Sequence, residues 1–349
     1  MKSKEKISIN GFDNKKYQEN ANDTMSSNYQ KAILTHYLHN LDNGVSKHFK
    51  GDAEKVLKSF VSYNQEKLEL PIVAEDALQQ LLFEVENVPF PTPKNYQFKF
   101  IDLFAGIGGF RIALQNLGGK CVFTSEWDKE AQKTYRANFG EVPFGDITLE
   151  ETKKFIPDGF DILCAGFPCQ AFSIAGKRGG FDDIRGTLFF DVAEIIRRKK
   201  PKAIFLENVK GLRNHDKGKT LETILNVLRT DLGYFVPEPQ IINARDFGVP
   251  QNRERIYIIG FRKDQKVQNF EYPKPLNIKT SFSDIKESKA PPTKYYLSKQ
   301  YLNTLKNHKA RHESKGNGFG YAIIPDNGIS NAIVVGGMGR ERNLVIDHR

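Results

Sequence analysis

Gly166-Phe167-Pro168-Cys169-Gln170 places a thiol just beyond a short apolar run, Asp161-Ile162-Leu163-Cys164-Ala165, that reads as a buried strand. Gly166 and Pro168 break that strand, so Cys169 falls at its C-terminal end, where open α/β sheets place their ligands. Most cysteines are small buried hydrophobes; one on a strand-end loop is a candidate nucleophile. A second apolar run, Ala203-Ile204-Phe205-Leu206, delivers Glu207 and Asn208 to the same sheet edge. A free thiol is mostly protonated at neutral pH, so Cys169 needs a positive neighbour or a helix terminus to become a thiolate. Glu207, half-buried and protonated, can donate to a heterocycle nitrogen. Arg253 and Arg255, in Gln251-Asn252-Arg253-Glu254-Arg255, alternate at the start of a further strand and are expected on one face. There they can neutralise charge developing on a ring oxygen or a carboxylate. Thiol, acid and guanidinium groups together describe a centre for covalent catalysis.

A second constellation begins with Phe104-Ala105-Gly106-Ile107-Gly108-Gly109 after the first strand. Glycines there let the backbone approach a ligand, although the spacing is not a full dinucleotide fingerprint. The next strand ends in Glu126, an acid suited to ribose hydroxyls. Trp127, the one tryptophan of the chain, follows it and is either a stacking surface for a purine or a core residue. Asp146, after Gly145 at the end of a short third strand, can read an adenine amino group. The full Gly-x-x-x-x-Gly-Lys-Ser/Thr phosphate-binding loop is absent, which disfavours ATP. Between the two constellations, residues 171–186 carry Gly176, Gly179, Gly180 and Gly186 beside Lys177, Arg178 and Arg185. A glycine-hinged basic loop after a nucleophile reads as a lid closing over a polyanion, with Ser173, Lys177 and Arg185 as candidate phosphate contacts.

The elements that must position these groups alternate in type. Strands are predicted at 99–104, 120–125, 161–165, 203–206 and 256–261, with helices at 110–117, 129–138, 187–199 and 220–232. That order predicts an α/β fold with a doubly wound, mostly parallel sheet. Residues 1–28 are polar and are expected to be disordered. Helical spacing covers residues 29–41, 53–70 and 73–85, and Pro89, Pro91 and Pro93 then mark a boundary. The expected domains are an N-terminal extension (1–95), a catalytic and cofactor-binding domain (96–265), and a loop-rich region (266–349).

The chain of 349 residues has a formal net charge of +10. Residues 1–95 hold 12 Lys and no Arg against 13 Asp and Glu, so the positive field belongs to the remainder. A polyanion is the natural partner of that field, whereas the near-neutral extension suits packing or partner binding rather than DNA. Three cysteines without paired spacing argue against disulfide or metal scaffolds, no metal site is expected, and a reducing compartment is. With no signal peptide or membrane-length apolar run, a cytoplasmic location is expected.

In order and content these motifs resemble the bacterial cytosine-5 DNA methyltransferases of restriction–modification systems. The matching residues are the Phe104 to Gly109 run, Glu126-Trp127, Gly145-Asp146-Ile147, Gly166 to Gln170, Glu207-Asn208-Val209 and Gln251 to Arg255, spanning about residues 98–262. The resemblance implies a Rossmann-like S-adenosylmethionine-dependent methyltransferase fold. The cofactor would lie among Phe104, Ala105, Gly106, Gly108, Gly109, Glu126, Trp127, Asp146, Ile147, Pro168 and Leu188. The substrate would be double-stranded DNA, contacted by Gln170, Ser173, Lys177, Arg178 and Arg185, with the target cytosine flipped out of the stack. Cys169 would attack C6, Glu207 would hold N3 and the amino group, and Arg255, with Arg253 beside it, would take the O2 side. Residues 336–347 look like the start of a target-recognition region. The family's later motifs, an arginine–glutamate segment and a final asparagine motif, do not follow before Arg349. Hence an inactive fragment, or a split enzyme completed by a second polypeptide, is weighed beside the whole enzyme. Ala175 stands where the family often has a hydroxyl. An RNA cytosine-5 methyltransferase and a non-catalytic cofactor- or DNA-binding subunit are the remaining alternatives.

Overall fold

The computed structural model describes residues 8–13, 25–67, 74–168, 188–316, 318, 320–333 and 343–348. The chain divides into two compact units, Met1–Pro239 with Tyr257–Phe270, and Gln240–Ile256 with Glu271–Arg349.

The first unit opens with a 3₁₀ turn, Ile9–Asp13, followed by helices α1 (Ser27–His39), α2 (Ser46–Lys67) and α3 (Ala74–Glu86). The alternating part then runs β1 (Phe98–Leu103), α4 (Gly109–Asn116), β2 (Gly119–Ser125), α5 (Lys129–Phe139), α6 (Glu150–Lys153), β3 (Ile162–Ala165), α7 (Leu188–Lys199), β4 (Ala203–Val209), α8 (Lys219–Asn226) and β5 (Tyr234–Phe235). The second unit contributes β6 (Gln240–Asn243), β7 (Gln251–Asn252) and the start of β8 (Glu254–Arg262), whose remainder returns to the first unit. It continues with α9 (Lys299–Glu313), β9 (Ala322–Ile323), β10 (Ser330–Asn331) and β11 (Asn343–Leu344).

The main sheet has seven strands in the order β2-β1-β3-β4-β8-β5, with β6 beside β8. β1 pairs in parallel with both β2 and β3, β3 pairs in parallel with β4, and β5 runs antiparallel to β8. Chain order therefore reverses between β1 and β3, and the C-terminal ends of β1, β2, β3 and β4 frame the crevice where doubly wound folds bind ligands. β2 is buried along its whole length, as a strand covered on both faces should be. The core beneath includes Phe100, Leu114, Cys121 and Cys164, with Phe110 set edge-on to Phe205 at 5.0 Å. Cys121 and Cys164 are free and buried, and burial pushes both thiols up, so neither is a nucleophile.

Several boundaries differ from the sequence reading for identifiable reasons. Phe104 leaves the first strand because its backbone turns to φ 55°. The expected third short strand is a single parallel bridge, Ser125 to Phe144. The helix expected at 220–232 ends at Asn226 and passes into a π turn, in which Leu232 N–H donates to Val227 O. The extension is integral to the first unit: α1 buries Ala32, Ile33, Leu34 and Leu38. At Gly140 (φ 71°) a Cβ would come within 2.3 Å of Val85 O of α3, so only glycine lets α5 end that close to the extension. Among the described residues, no helix is long and apolar enough to cross a membrane.

Candidate active site

A cavity of about 400 Å³ opens at the ends of β1, β2 and β3. Its wall is formed by Phe104, Ser125, Glu126, Trp127, Gly145, Asp146, Ile147, Thr148, Gly166, Pro168 and Leu188. The structure thus brings Phe104, Glu126, Trp127, Asp146, Ile147, Pro168 and Leu188 around one space. Sequence reasoning gave no ligand role to Ser125, Gly145, Thr148 or Gly166. Ser125 left no motif signal, whereas both glycines lay inside quoted motifs without a contact assigned to them.

The loop after β1 is shaped by backbone strain. Phe104, a non-glycine residue, sits at φ 55°, followed by Gly106 at 57° and Gly108 at 96°. Positive φ at a bulky aromatic is costly and gathers at ligand sites. Gly108 is irreplaceable on space as well, because a Cβ there would lie 2.1 Å from the Phe139 ring. Gly108 starts α4, while Ala105 packs beneath the loop against Tyr135 and Phe139, and a Cβ at Gly109 would meet nothing within 4 Å. Gly106 N–H donates to Glu126 Oε2 at 2.7 Å, and Asp128 N–H donates to Oε1 at 2.8 Å. The Glu126 carboxylate therefore bridges the two strand-end loops and keeps a lone pair on each oxygen for a ligand. Asp146 Oδ1 accepts from Thr148 N–H at 2.9 Å. Trp127 is 76% exposed, which decides between its two sequence readings: it lines the cavity and is not a core residue.

This lining suits an adenosine-like group better than a nucleotide. Two aromatic rings offer stacking surfaces, and two carboxylates accept hydroxyl and amino hydrogens while repelling phosphate. Ser125 adds a buried Oγ on the cavity wall with no hydrogen-bond partner among the described residues. Buried polar groups are normally paired, so this hydroxyl points to a ligand partner. The residues present fit S-adenosylmethionine.

The second half of the site meets the first at Gly166. This glycine lines the cavity, and a Cβ on it would lie 3.6 Å from Glu207 Oε2 and 3.7 Å from the Phe110 ring. Half-buried Glu207 at the end of β4 therefore stands against the backbone that leads to Cys169. Asn208 secures the arrangement: its buried Nδ2 donates to Phe167 O at 2.7 Å and its Oδ1 accepts from Val209 N–H at 2.8 Å. Cys169, Gln170, Ser173, Lys177, Arg178 and Arg185 lie outside the described residues.

Arg253 and Arg255 belong to the second unit. Arg253 does not continue a strand toward Arg255, as expected, but occupies the break between β7 and β8. Its N–H donates to Asn243 Oδ1 at 3.0 Å and its carbonyl accepts from Ala244 N–H at 3.0 Å. Arg255 Nη1 donates to Glu254 O at 2.8 Å.

The family model for C-5 cytosine-specific DNA methylase matches residues 98–346. That span takes in the segment after Arg262 that the sequence motifs did not reach. The chain is 74% identical over 278 residues to the type II methyltransferase M.HpaII of Haemophilus parainfluenzae, covering 80% of this chain and 77% of that protein. It is 57% identical over 187 residues to M.HhaI of Haemophilus parahaemolyticus, covering 54% of this chain and 56% of that one. To M.DsaV of Dactylococcopsis salina it is 52% identical over 235 residues, covering 66% and 65%. A second polypeptide has no support among these relatives. In three dimensions the chain is similar to a mutant of Spodoptera frugiperda DNMT2, with a TM-score of 0.50 at 21% identity over 67% of this chain and 69% of that one. That likeness is one of fold, the fold of S-adenosylmethionine-dependent methyltransferases. With a matched domain of this extent built around the cavity and strand ends just described, the chain belongs to the C-5 cytosine-specific DNA methylase family.

Proposed function

We propose that the chain methylates C5 of a cytosine flipped out of a specific duplex DNA site, as the modification enzyme of a restriction–modification system, with S-adenosylmethionine bound in the cavity at the ends of β1 and β2. The observation that carries this reading is the shared wall at Gly166. One residue borders both the adenosine-like cavity and the Glu207 carboxylate, three residues before the nucleophile candidate. Donor and acceptor sites are thus adjacent along one sheet edge.

Phe104 and Trp127 take the adenine faces, Glu126 the ribose hydroxyls and Asp146 the adenine amino group. Flipping exposes C6, which is inaccessible in the stack, at a cost of about a few kcal/mol. The Cys169 thiolate forms a bond to C6, and the C5–C6 π pair becomes a nucleophile at C5. Glu207, protonated, donates to N3 and accepts from the amino group, stabilising the charge that moves into the ring. Arg255, beside Arg253, balances the O2 oxygen. S-adenosylmethionine, when bound, supplies the electrophilic methyl group that C5 receives. A base then removes the C5 proton, the C–H pair re-forms the C5–C6 double bond, and Cys169 leaves as thiolate. Gln170, Ser173, Lys177, Arg178 and Arg185 are assigned to DNA on the basic loop that follows. A DNA acceptor is favoured over an RNA one by the description of the matching family. Action on bacterial DNA puts the reaction in the cytoplasm.

The test is transfer of labelled methyl groups to mixed-sequence unmethylated duplex DNA by the purified chain. Incorporation as 5-methylcytosine is expected, with transfer RNA as a poor acceptor. Cys169→Ala should reduce it by more than about 10³-fold, and 5-fluorocytosine DNA should trap wild type but not this variant covalently. Retained methylation by Cys169→Ala overturns the mechanism.

A further inference from the structure

Helix α1 lies outside the segment that matches the family, yet its side chains hold two of the chain segments that lead into the cavity lining. β2 is the edge strand of the sheet, and an edge leaves a row of backbone N–H and C=O groups open. Its last residues lead into Glu126 and Trp127, so the setting of this edge fixes one wall. On the open side, Thr124 N–H donates to His36 Nε2 at 3.0 Å. The neighbouring carbonyl, Thr124 O, accepts from Phe144 N–H at 3.0 Å, and Glu126 N–H donates to Phe144 O at 2.8 Å. The segment ending in Asp146 and Ile147, the other wall, is thereby strapped to β2.

Helix α1 grips that segment at three points. Thr35 Oγ1 accepts from Val142 N–H at 3.1 Å. The His36 ring packs on Phe144 at 4.7 Å, within a stack in which Phe144 lies 5.2 Å from Phe123 and 4.8 Å from Phe155. Tyr29 meets Phe144 edge-on at 5.9 Å, hydrogen-bonds Thr152 through its hydroxyl, and would touch a Cβ on Gly145 at 3.9 Å. Tyr29 and His36 are seven positions apart and so lie on one stripe of the helix. The tautomer of His36 follows from its partners: Nδ1–H donates to Ala32 O at 2.8 Å, which leaves the Nε2 lone pair for Thr124. The charged groups around it are Glu141, whose Oε1 is 3.6 Å from Nε2, and Arg111, which holds that same oxygen at 2.7 Å. Burial keeps the imidazole below its usual value, in keeping with a neutral acceptor.

We infer that α1 supports the cofactor site from behind its lining and that His36 is its positioning residue, setting the end of β2 and with it Glu126 and Trp127. This rests on the reading of the cavity as the S-adenosylmethionine site. His36 touches no ligand-lining atom itself; it acts through Thr124 and Phe144.

The experiment compares wild type, His36→Phe, His36→Gln and Leu34→Ala as full-length chains. His36→Phe keeps the ring and loses the acceptor, His36→Gln keeps an acceptor at similar reach, and Leu34→Ala loosens α1 by packing alone. Two readouts are taken: amide exchange of the Thr124–Trp127 stretch in the ligand-free protein, and S-adenosylmethionine titration followed by the fluorescence of Trp127, the single tryptophan. His36→Phe is expected to speed exchange at Thr124 at least tenfold and to weaken S-adenosylmethionine about tenfold. The KM for DNA should be unchanged, and His36→Gln should restore most of both effects. Leu34→Ala should lower the melting temperature without shifting cofactor affinity. If His36→Phe changes neither readout, or if Leu34→Ala weakens the cofactor as much at equal loss of stability, the inference is overturned. If exchange responds but wild type gives no fluorescence change with S-adenosylmethionine, the cofactor reading of the cavity is what fails.

Discussion

Helices α1 and α9 are similar in length and each carries a pair of histidines, yet the fold treats them oppositely. α1 buries residues on every side, polar ones included: Gln30, Lys31, Thr35, His36 and His39 are all buried. α9 buries Leu305 alone. Burial favours pairing of α1's polar groups within the protein, and three of them are paired so: Lys31 with Asp13 (2.7 Å), Thr35 with Val142 and His36 with Thr124. α9 is under no such pressure, and Lys299, Lys306 and Arg311 face solvent. A near-neutral helix thus became core, and a cationic one stayed outside, where a polyanion can reach it. The charge argument from sequence separated these two regions; the contacts of α1 were beyond it.

The sharpest way to break the comparison is to leave one charge unpaired beneath α1. Arg111 and Glu141 are both fully buried and paired at 2.7 Å; Arg111 also donates to Tyr135 (3.0 Å), Gln115 (2.7 Å) and Thr92 (3.3 Å). Burial alone would raise the Glu141 carboxyl, but the Arg111 guanidinium outweighs it and holds the group below the usual range. Arg111→Met strands that carboxylate and should cost about 3–5 kcal/mol in urea unfolding. Adding Glu141→Gln should recover part of the loss. A cost under about 1 kcal/mol means that the pairing of these two buried charges does not hold this part of the fold.

The histidine pairs offer a smaller and more selective contrast. Burial lowers His39 of α1 to about 3, so the unfolded chain takes up a proton below about pH 6.5 that the folded chain refuses. The unfolded state then binds more protons, and stability falls as pH drops through that window, by about 2 kcal/mol at pH 5. Asp102 acts in the opposite sense. Burial pushes its carboxyl up to about 8, so the folded chain holds a proton there that the unfolded chain releases, and acidification from pH 7 stabilises. The wild-type curve mixes both effects, whereas the difference between wild type and His39→Gln cancels Asp102. That difference should shift by about 2 kcal/mol in favour of the variant between pH 7 and pH 5.

Five strands, β1, β2, β3, β4 and β8, were legible because each is built on a short apolar run ended by glycine or a charged residue, and buried strands need little else. The cavity-lining residues Phe104, Glu126 and Asp146 were legible for the same reason, since each follows a strand-ending signal. Three features left no such trace. Phe144 joins the sheet edge through one bridge, too short for a periodic pattern. β7, β9, β10 and β11 are two residues each, so their ladders rest on long-range pairing, such as Ser330 with Gln251. His36 reaches a partner 88 residues away, and nothing local in Ala32-Ile33-Leu34-Thr35-His36 marks it.

Most of the charges of α9 are exposed. Lys306 and Arg311 of α9 and Lys315 just beyond its end are exposed, while Lys309 is 3.9 Å from Glu313 and lies over Tyr321. Exposed substitutions of this kind move stability by less than about 0.5 kcal/mol each. Lys306→Ala, Arg311→Ala and Lys315→Ala combined should therefore leave the melting temperature and S-adenosylmethionine affinity where they were. DNA affinity should weaken for cognate and non-cognate duplexes alike, because phosphate contacts carry no sequence information. Each contact removed should reduce the slope of log K against log salt by about 0.9. An unchanged slope would show that α9 faces water only, and the positive field of the body would then have to act through the basic loop after Cys169.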